Sequence, residues 1–268
     1  VSDFTENTEG VFLGLANDAY RAAPGVNVSA LKDAITPAHY RASRDEAKPE
    51  EPSAAQQFGT LFHALALEGK GDFVAKPKGM NFTTKEGKAW RDAQTLPIVS
   101  ESEAEALASM AGNLQSHQVI ASVFRTGGNS EVSGFKGHES SGLLLKGRAD
   151  YITQDNAQRT VIVDLKTCGF GCGSETAFAK EVAKWKYHQQ AAFYLDLFGA
   201  SFFMFVAVEK EPPFAVNVFQ LDAESIDQGR SENEKALAMI AEAEASGNWS
   251  SYPQQLHTIT LPRWAKSL

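Results

Sequence analysis

Eighteen consecutive residues, Ala191–Val208 (AAFYLDLFGASFFMFVAV), carry a single charge, Asp196, and no other stretch restricts the fold as tightly. A membrane helix needs about 20 apolar residues in one run. Here Gly199 divides the run into a helix-forming half and an aromatic, β-branched half. The segment therefore reads as a buried helix followed by a buried strand, and no membrane partner is expected.

The flanking residues extend this pattern. Glu131–Lys136, Leu143–Ile152 and Thr160–Lys166 are three strand candidates with tight connections, as in an antiparallel meander. One long helix is expected from Glu175 to Phe198, then strands Ser201–Val208 and Phe214–Leu221, then a helix from Ala223 to Ala245 and a coil carrying Trp249 and Trp264. Before the meander the chain is mostly helical. Val28–Ile35 forms a short helix stopped by Thr36-Pro37. Ser53 caps a helix whose Phe58, Leu61, Phe62 and Leu65 share one face. Residues 83–122 are helical with a break near Pro97, and Lys48–Pro52 reads as a linker. The fold class is α/β: a mixed central sheet flanked by helices, with a helical N-terminal elaboration. We expect one domain over 1–268, made of a mainly helical part (1–125), a catalytic core (126–222) and a C-terminal helix and tail (223–268).

Charge and cysteines narrow the function. With 25 Lys+Arg against 33 Asp+Glu, the net charge of −8 excludes a protein that coats nucleic acid. Its distribution leaves room for an enclosed basic channel. Lys76, Lys78, Lys85, Lys88 and Arg91 fall together, and Lys180, Lys184 and Lys186 cluster, while acid collects at Glu101–Glu105 and in the last helix. Cys168 and Cys172, in a glycine-rich loop, are too few for a zinc or iron–sulfur site; reduced thiols in a cytoplasmic protein are expected. Val1–Glu6 is acidic and lacks the features of a signal peptide.

Two strands carry the chemistry. Alternation puts Lys146, Arg148, Asp150 and Ile152 on one face of the first, and Ile162, Asp164 and Lys166 on one face of the second. If the strands are neighbours, Asp150, Asp164 and Lys166 converge at one end of the sheet. Two carboxylates there suit Mg²⁺, with Mn²⁺ as a substitute, and the lysine can orient or activate a water and offset phosphate charge. Lys186, Gln190 and Tyr194, spaced i, i+4, i+8, are expected on one helical face nearby. Exposed polar residues and a weak Asp164–Lys166 surface pair are the plain alternative. His117, His138 and His257 are expected at the surface, and His39 and His188 have weaker claims than His63.

Gly147-Arg148-Ala149-Asp150, Asp164-Leu165-Lys166-Thr167 and Tyr187–Tyr194 resemble the PD-(D/E)xK nuclease superfamily, and more closely the RecE (exonuclease VIII) and lambda-type phage recombination exonucleases. Phe58–Leu65, with its glycine and His63, resembles that branch's histidine helix, and Thr36–Tyr40 its N-terminal motif; the likeness spans roughly residues 28–210. The resemblance implies a restriction-endonuclease-like core. It assigns His63, Asp150, Asp164 and the Leu165 backbone carbonyl to the metal, and Lys166 to the attacking water. Gln190 and Tyr194 would support phosphate and lysine, and Glu131 would stand beside the metal. It further implies 5′-to-3′ degradation of one strand at double-stranded DNA ends, a RecT-like single-strand annealing partner and a homo-oligomeric ring, trimer or tetramer. Ala149 replaces the superfamily's proline, which leaves the carboxylate in place. A restriction-like or repair endonuclease, and a DNA-end-binding module without catalysis, are the alternatives.

Overall fold

The computed structural model describes residues 9–45 and 53–262. The linker Lys48–Pro52, the N-terminal Val1–Glu6 and Trp264 lie outside the described residues. The elements in chain order are β1 (Gly10–Phe12), α1 (Asn17–Ala22), α2 (Val28–Asp33), α3 (Pro37–Asp45), α4 (Ala54–Glu68), β2 (Val74–Ala75), α5 (Lys85–Asp92), β3 (Ile98–Val99), α6 (Glu101–Ser116) and α7 (Gln118–Arg125). Then follow β4 (Gly128–Gly137), β5 (Leu144–Gln154), β6 (Thr160–Cys168), α8 (Glu175–Lys184), α9 (Tyr187–Phe198), β7 (Phe202–Glu209), β8 (Val216–Phe219) and α10 (Ala223–Ser246).

The expected mixed sheet is present, with six strands in the order β1-β4-β5-β6-β7-β8. β4, β5 and β6 form the antiparallel meander, β6 and β7 are parallel, and β8 returns antiparallel. A parallel pair needs a crossover, and α8 with α9 supplies it. The apolar run divides where its glycine stands: α9 ends at Phe198, Gly199 takes the left-handed conformation (φ 59°) and β7 begins at Phe202. Among the described residues no helix is long and apolar enough to cross a membrane.

Helices cover both faces of the sheet. One core gathers Leu31, Ile162, Phe193, Phe205 and Ile240 under α2, α8, α9 and α10. The other gathers Phe62, Met110, Leu114, Ile120 and Val163 under α4, α6 and α7. The Ser53 cap forms as expected, its hydroxyl accepting from the Gln56 N–H while the Gln56 side chain accepts from the Ser53 N–H.

Several expectations need correction. The single helix over 175–198 is two helices, because Lys186 takes a left-handed backbone (φ 52°) between α8 and α9. α2 ends at Asp33, two residues before the expected Ile35, and Pro37 opens α3, as proline does at a first helical position. His117 and His138 are not free surface residues. Nδ1 of His117 is buried, and His138 pairs with Glu234 of α10 at 3.0 Å. Cys168 and Cys172 are joined in a disulfide that closes the loop after β6.

The N-terminal residues are tied to the sheet by polar contacts. β1 adds to the edge of β4, with Gly10 opposite Phe135. The buried Lys146 ammonium donates to the carbonyls of Tyr20, Arg21 and Ala23 at 3.3, 3.2 and 2.5 Å, so it closes the C-terminal end of α1.

Candidate active site

The site forms where the ladder of the sheet fails. β4 and β5 pair in one register from Gly137↔Leu144 to Val132↔Ala149 and again from Ser130↔Tyr151 onward. The single rung left out is Glu131 with Asp150, and Glu131 has a left-handed backbone there (φ 52°). Alternation breaks at the same point. Ala149 packs in the core beneath α9, whereas Tyr151 packs in the core beneath α4 and α6. Lys146, Arg148, Asp150 and Ile152 therefore do not share one face, contrary to the alternation expected from sequence. On β6 the rule holds: Val163 and Leu165 face the α4 side, while Ile162 lies in the α9 core and Asp164 meets α9.

β5 and β6 also part here. Their ladder runs from Gln154↔Thr160 to Tyr151↔Val163 and stops one rung short of Asp150 and Asp164. In place of the next rung, the Leu165 N–H donates to Asp150 Oδ2 at 2.8 Å. The carboxylates stand in the resulting fork.

Two groups of side chains meet at it. From α4, His63 Nδ1 approaches Asp150 Oδ2 to 3.6 Å. His63, Glu131 and Asp150 each offer a ligand atom, all within 4.8 Å of one another. One imidazole nitrogen and two carboxylate oxygens make a donor set that fits a hard or borderline divalent cation. Arg148 Nε donates to Glu131 Oε2 at 2.6 Å and its Nη1 to the Leu15 carbonyl at 2.9 Å, which holds the glutamate in position. Asp164 stands outside this triplet. Its Oδ1 accepts from Gln190 Nε2 at 2.7 Å, and its Oδ2 lies 2.6 Å from the Lys166 ammonium.

Electrostatics separate the roles. Burial pushes the Asp150 carboxyl up to about 6; Asp164 adds to this, while His63, Lys166 and the Leu165 N–H oppose it. A carboxylate so crowded gains from a cation beside it. Burial works against the Lys166 charge, but Asp164, Asp150 and Tyr187 outweigh it and hold the ammonium above its ordinary range. Lys166 therefore stays charged at neutral pH.

Two contributors have no counterpart among the candidates read from sequence. Two ammonium groups approach the Tyr187 ring, Lys166 at 4.7 Å and Lys32 of α2 at 5.5 Å from its centroid. Tyr187 lies three residues before Gln190, a spacing that puts both on one helix face and offered a usable signal. Lys32 is far away in sequence and gave none. Burial lowers its pKa to about 8, with Lys166 and Lys186 adding to the effect against Asp164 and Asp33. Lys186 itself caps α9 and donates to the Lys32 carbonyl at 2.7 Å, away from the carboxylates. The Tyr194 hydroxyl is buried and donates to the Arg148 carbonyl at 3.0 Å. Its ring lies against Gly147, where an added Cβ would stand 2.7 Å from Tyr194 Cε1 and 2.6 Å from Leu197 Cδ2. Close approach of α9 thus explains the glycine of the Gly-x-x-Asp pattern. His188 pairs with Glu232, and His39 with Thr36, away from the fork.

A family profile described as a PDDEXK-like domain of unknown function (DUF3799) matches residues 27–261. Among solved structures, the chain is similar to a protein of Eubacterium rectale named provisionally as an exonuclease. The identity is 15%, over 87% of this chain and 88% of that one, with a TM-score of 0.59, which shows a shared fold. A phage-related exonuclease from Haemophilus somnus (13% identity, 84% and 97% covered, TM-score 0.37) and an alkaline exonuclease from Laribacter hongkongensis (16%, 83% and 91%, TM-score 0.33) overlap too little to carry an argument. Comparison with curated proteins found no match.

Proposed function

The chain belongs to the PDDEXK-like family of unknown function DUF3799, and from that premise we propose that it is a divalent-metal-dependent 5′-to-3′ exodeoxyribonuclease acting on linear double-stranded DNA. The observation that carries this reading is the fork itself. His63, Glu131 and Asp150 gather on one side, and Asp164, Lys166 and Gln190 on the other, within one break of the sheet. His63, Glu131 and Asp150 would hold Mg²⁺ or Mn²⁺, with Asp164 and the Leu165 carbonyl completing the set on the β6 side. Held there, such a cation would supply Lewis-acid polarisation of the scissile phosphate and a lowered pKa for a water.

The chain's own groups supply the rest. Lys166, 2.6 Å from Asp164, donates a hydrogen bond that orients the attacking water or a phosphate oxygen. Gln190 fixes the Asp164 carboxylate from behind, and Tyr194 fixes the strand at Arg148. Cleavage from the 5′ end leaves 3′ single strands, substrates for a RecT-like annealing protein. A homo-oligomeric ring, a single nuclease domain and a cytoplasmic setting belong to the same proposal.

The test is linear duplex DNA, 5′-labelled, incubated with Mg²⁺. Wild type releases mononucleotides from the labelled strand and leaves covalently closed circles intact, and Asp164→Ala and Lys166→Ala release almost none. Cutting of closed circles would replace the exonuclease with an endonuclease. Wild-type turnover in Lys166→Ala would remove the lysine from the mechanism.

A further inference from the structure

Beside the fork lies a cavity of about 530 Å³ that shares Lys166 and Tyr187 with the site and is walled by the Cys168–Cys172 loop and the end of α8. Its volume falls within the ~300–1,000 Å³ of small-ligand sites. Two large aromatic side chains line it while remaining open to solvent: Phe170 is 71% exposed and Trp185 50% exposed. Aromatic residues of this size are ordinarily covered, so two of them flanking one cavity mark a surface that awaits a flat apolar partner.

Both are held in place. Trp185 closes α8, its backbone N–H bonded to the Glu181 carbonyl at 2.9 Å, and the left-handed Lys186 then turns the chain away and leaves the indole outside. Its Nε1 donates to Glu181 Oε2 at 2.6 Å, which fixes the ring and occupies the acidic group of the wall. The Lys184 ammonium lies over the indole, 4.7 Å from its centroid, so it occupies one face of the ring and leaves the opposite face for a stacked base. Phe170 sits at the tip of a loop pinned three times. The Cys168–Cys172 disulfide closes it, the Gly173 N–H donates to the buried Glu209 carboxylate at 3.0 Å, and the Gly173 carbonyl accepts from Asn217 at 2.9 Å.

We propose that this cavity receives the unpaired base of the nucleotide whose phosphate lies at Lys166, with Trp185 and Phe170 as stacking platforms. The proposal rests on the nuclease reading and deepens it, since it names single-stranded character at the cutting point as the substrate feature recognised. A base within a duplex has both faces occupied by its neighbours, so one strand must unpair before it enters. Every base has a flat π face, and recognition of this kind tolerates any sequence.

The test measures binding of an oligo-dT strand with a 3′ fluorophore by anisotropy, with Ca²⁺ replacing Mg²⁺, alongside a strand of the same length made of abasic units. Stacking on one aromatic ring contributes ~1–3 kcal/mol per base, so Trp185→Ala is expected to weaken oligo-dT binding about tenfold. Trp185→Phe retains most of the affinity, and the abasic strand binds wild type and Trp185→Ala alike. The indole is half exposed, so thermal unfolding of the variant should match wild type. An equal loss on both strands, no loss on either, or no binding of oligo-dT by wild type would each overturn the proposal. Failure of the nuclease reading looks different: base-dependent binding through Trp185 with no nucleotide release by wild type in Mg²⁺.

Discussion

Replacing Asp150 with asparagine should stabilise the metal-free protein while abolishing cleavage. The carboxyl is displaced from 3.8 to about 6 in the folded state, chiefly by burial. Between those two values the folded chain binds more protons than the unfolded chain, so the free energy of unfolding falls as pH rises and levels off above about 6. At ~1.4 kcal/mol per pH unit the interval corresponds to about 3 kcal/mol. The side chain keeps 19% of its surface in water, and about 2 kcal/mol is a fair expectation after that allowance. Asparagine has the shape of the protonated acid without its charge, and its carbonyl can still accept the Leu165 N–H. Urea unfolding in EDTA at pH 8 should show Asp150→Asn more stable by that amount, with roughly half the advantage at pH 5. Added Mn²⁺ should raise the midpoint of wild type and leave the variant unchanged, because only wild type keeps the full donor set. An advantage independent of pH, or a variant less stable than wild type at pH 8, would refute the reasoning.

Two further substitutions test the supports of the site. Gln190→Leu removes the 2.7 Å hydrogen bond to Asp164 Oδ1, leaves a buried carboxylate oxygen without that donor and should cost ~1–3 kcal/mol in urea unfolding, with nucleotide release slowed ~10–100-fold. Gly147→Ala drives a methyl group to 2.6 and 2.7 Å from Leu197 and Tyr194 and should lower stability by ~1–3 kcal/mol in thermal unfolding; unchanged stability would mean that α9 does not rest on that glycine.

The parts of this protein legible in its sequence are those set by short-range patterns. The divided apolar run, the capped helix at Ser53 and the alternation that puts Asp164 and Lys166 on one face all follow from spacing within a few residues. The parts that were not legible depend on distant partners. Alternation fails at Asp150 because the rung shared with Glu131 is broken in both strands at once, and a rule for regular strands contains no such break. The stop between α8 and α9 falls at Trp185-Lys186, with neither glycine nor proline to announce it. β1 has three residues, too few for any period, and exists by pairing with β4. Lys32 reaches the site from a helix more than a hundred residues from Lys166 in sequence, so only folding could bring them together.

The contacts of the first two dozen residues bear on where this protein begins as a physical object. Likeness to the family starts at residue 27, yet the three carbonyls that receive the Lys146 ammonium and the one that receives Arg148 all precede that point. A chain trimmed to the matched span would keep every residue of the fork and lose what steadies it. The Lys146 ammonium would exchange its three carbonyl acceptors for water, and the guanidinium beside Glu131 would lose its anchor. The ten-residue strand β4 would also stand as an open margin, free to pair with another molecule. The border drawn by resemblance thus cuts through a set of contacts that support the site, and an inactive or aggregating fragment would reveal the position of the cut and nothing about the chemistry.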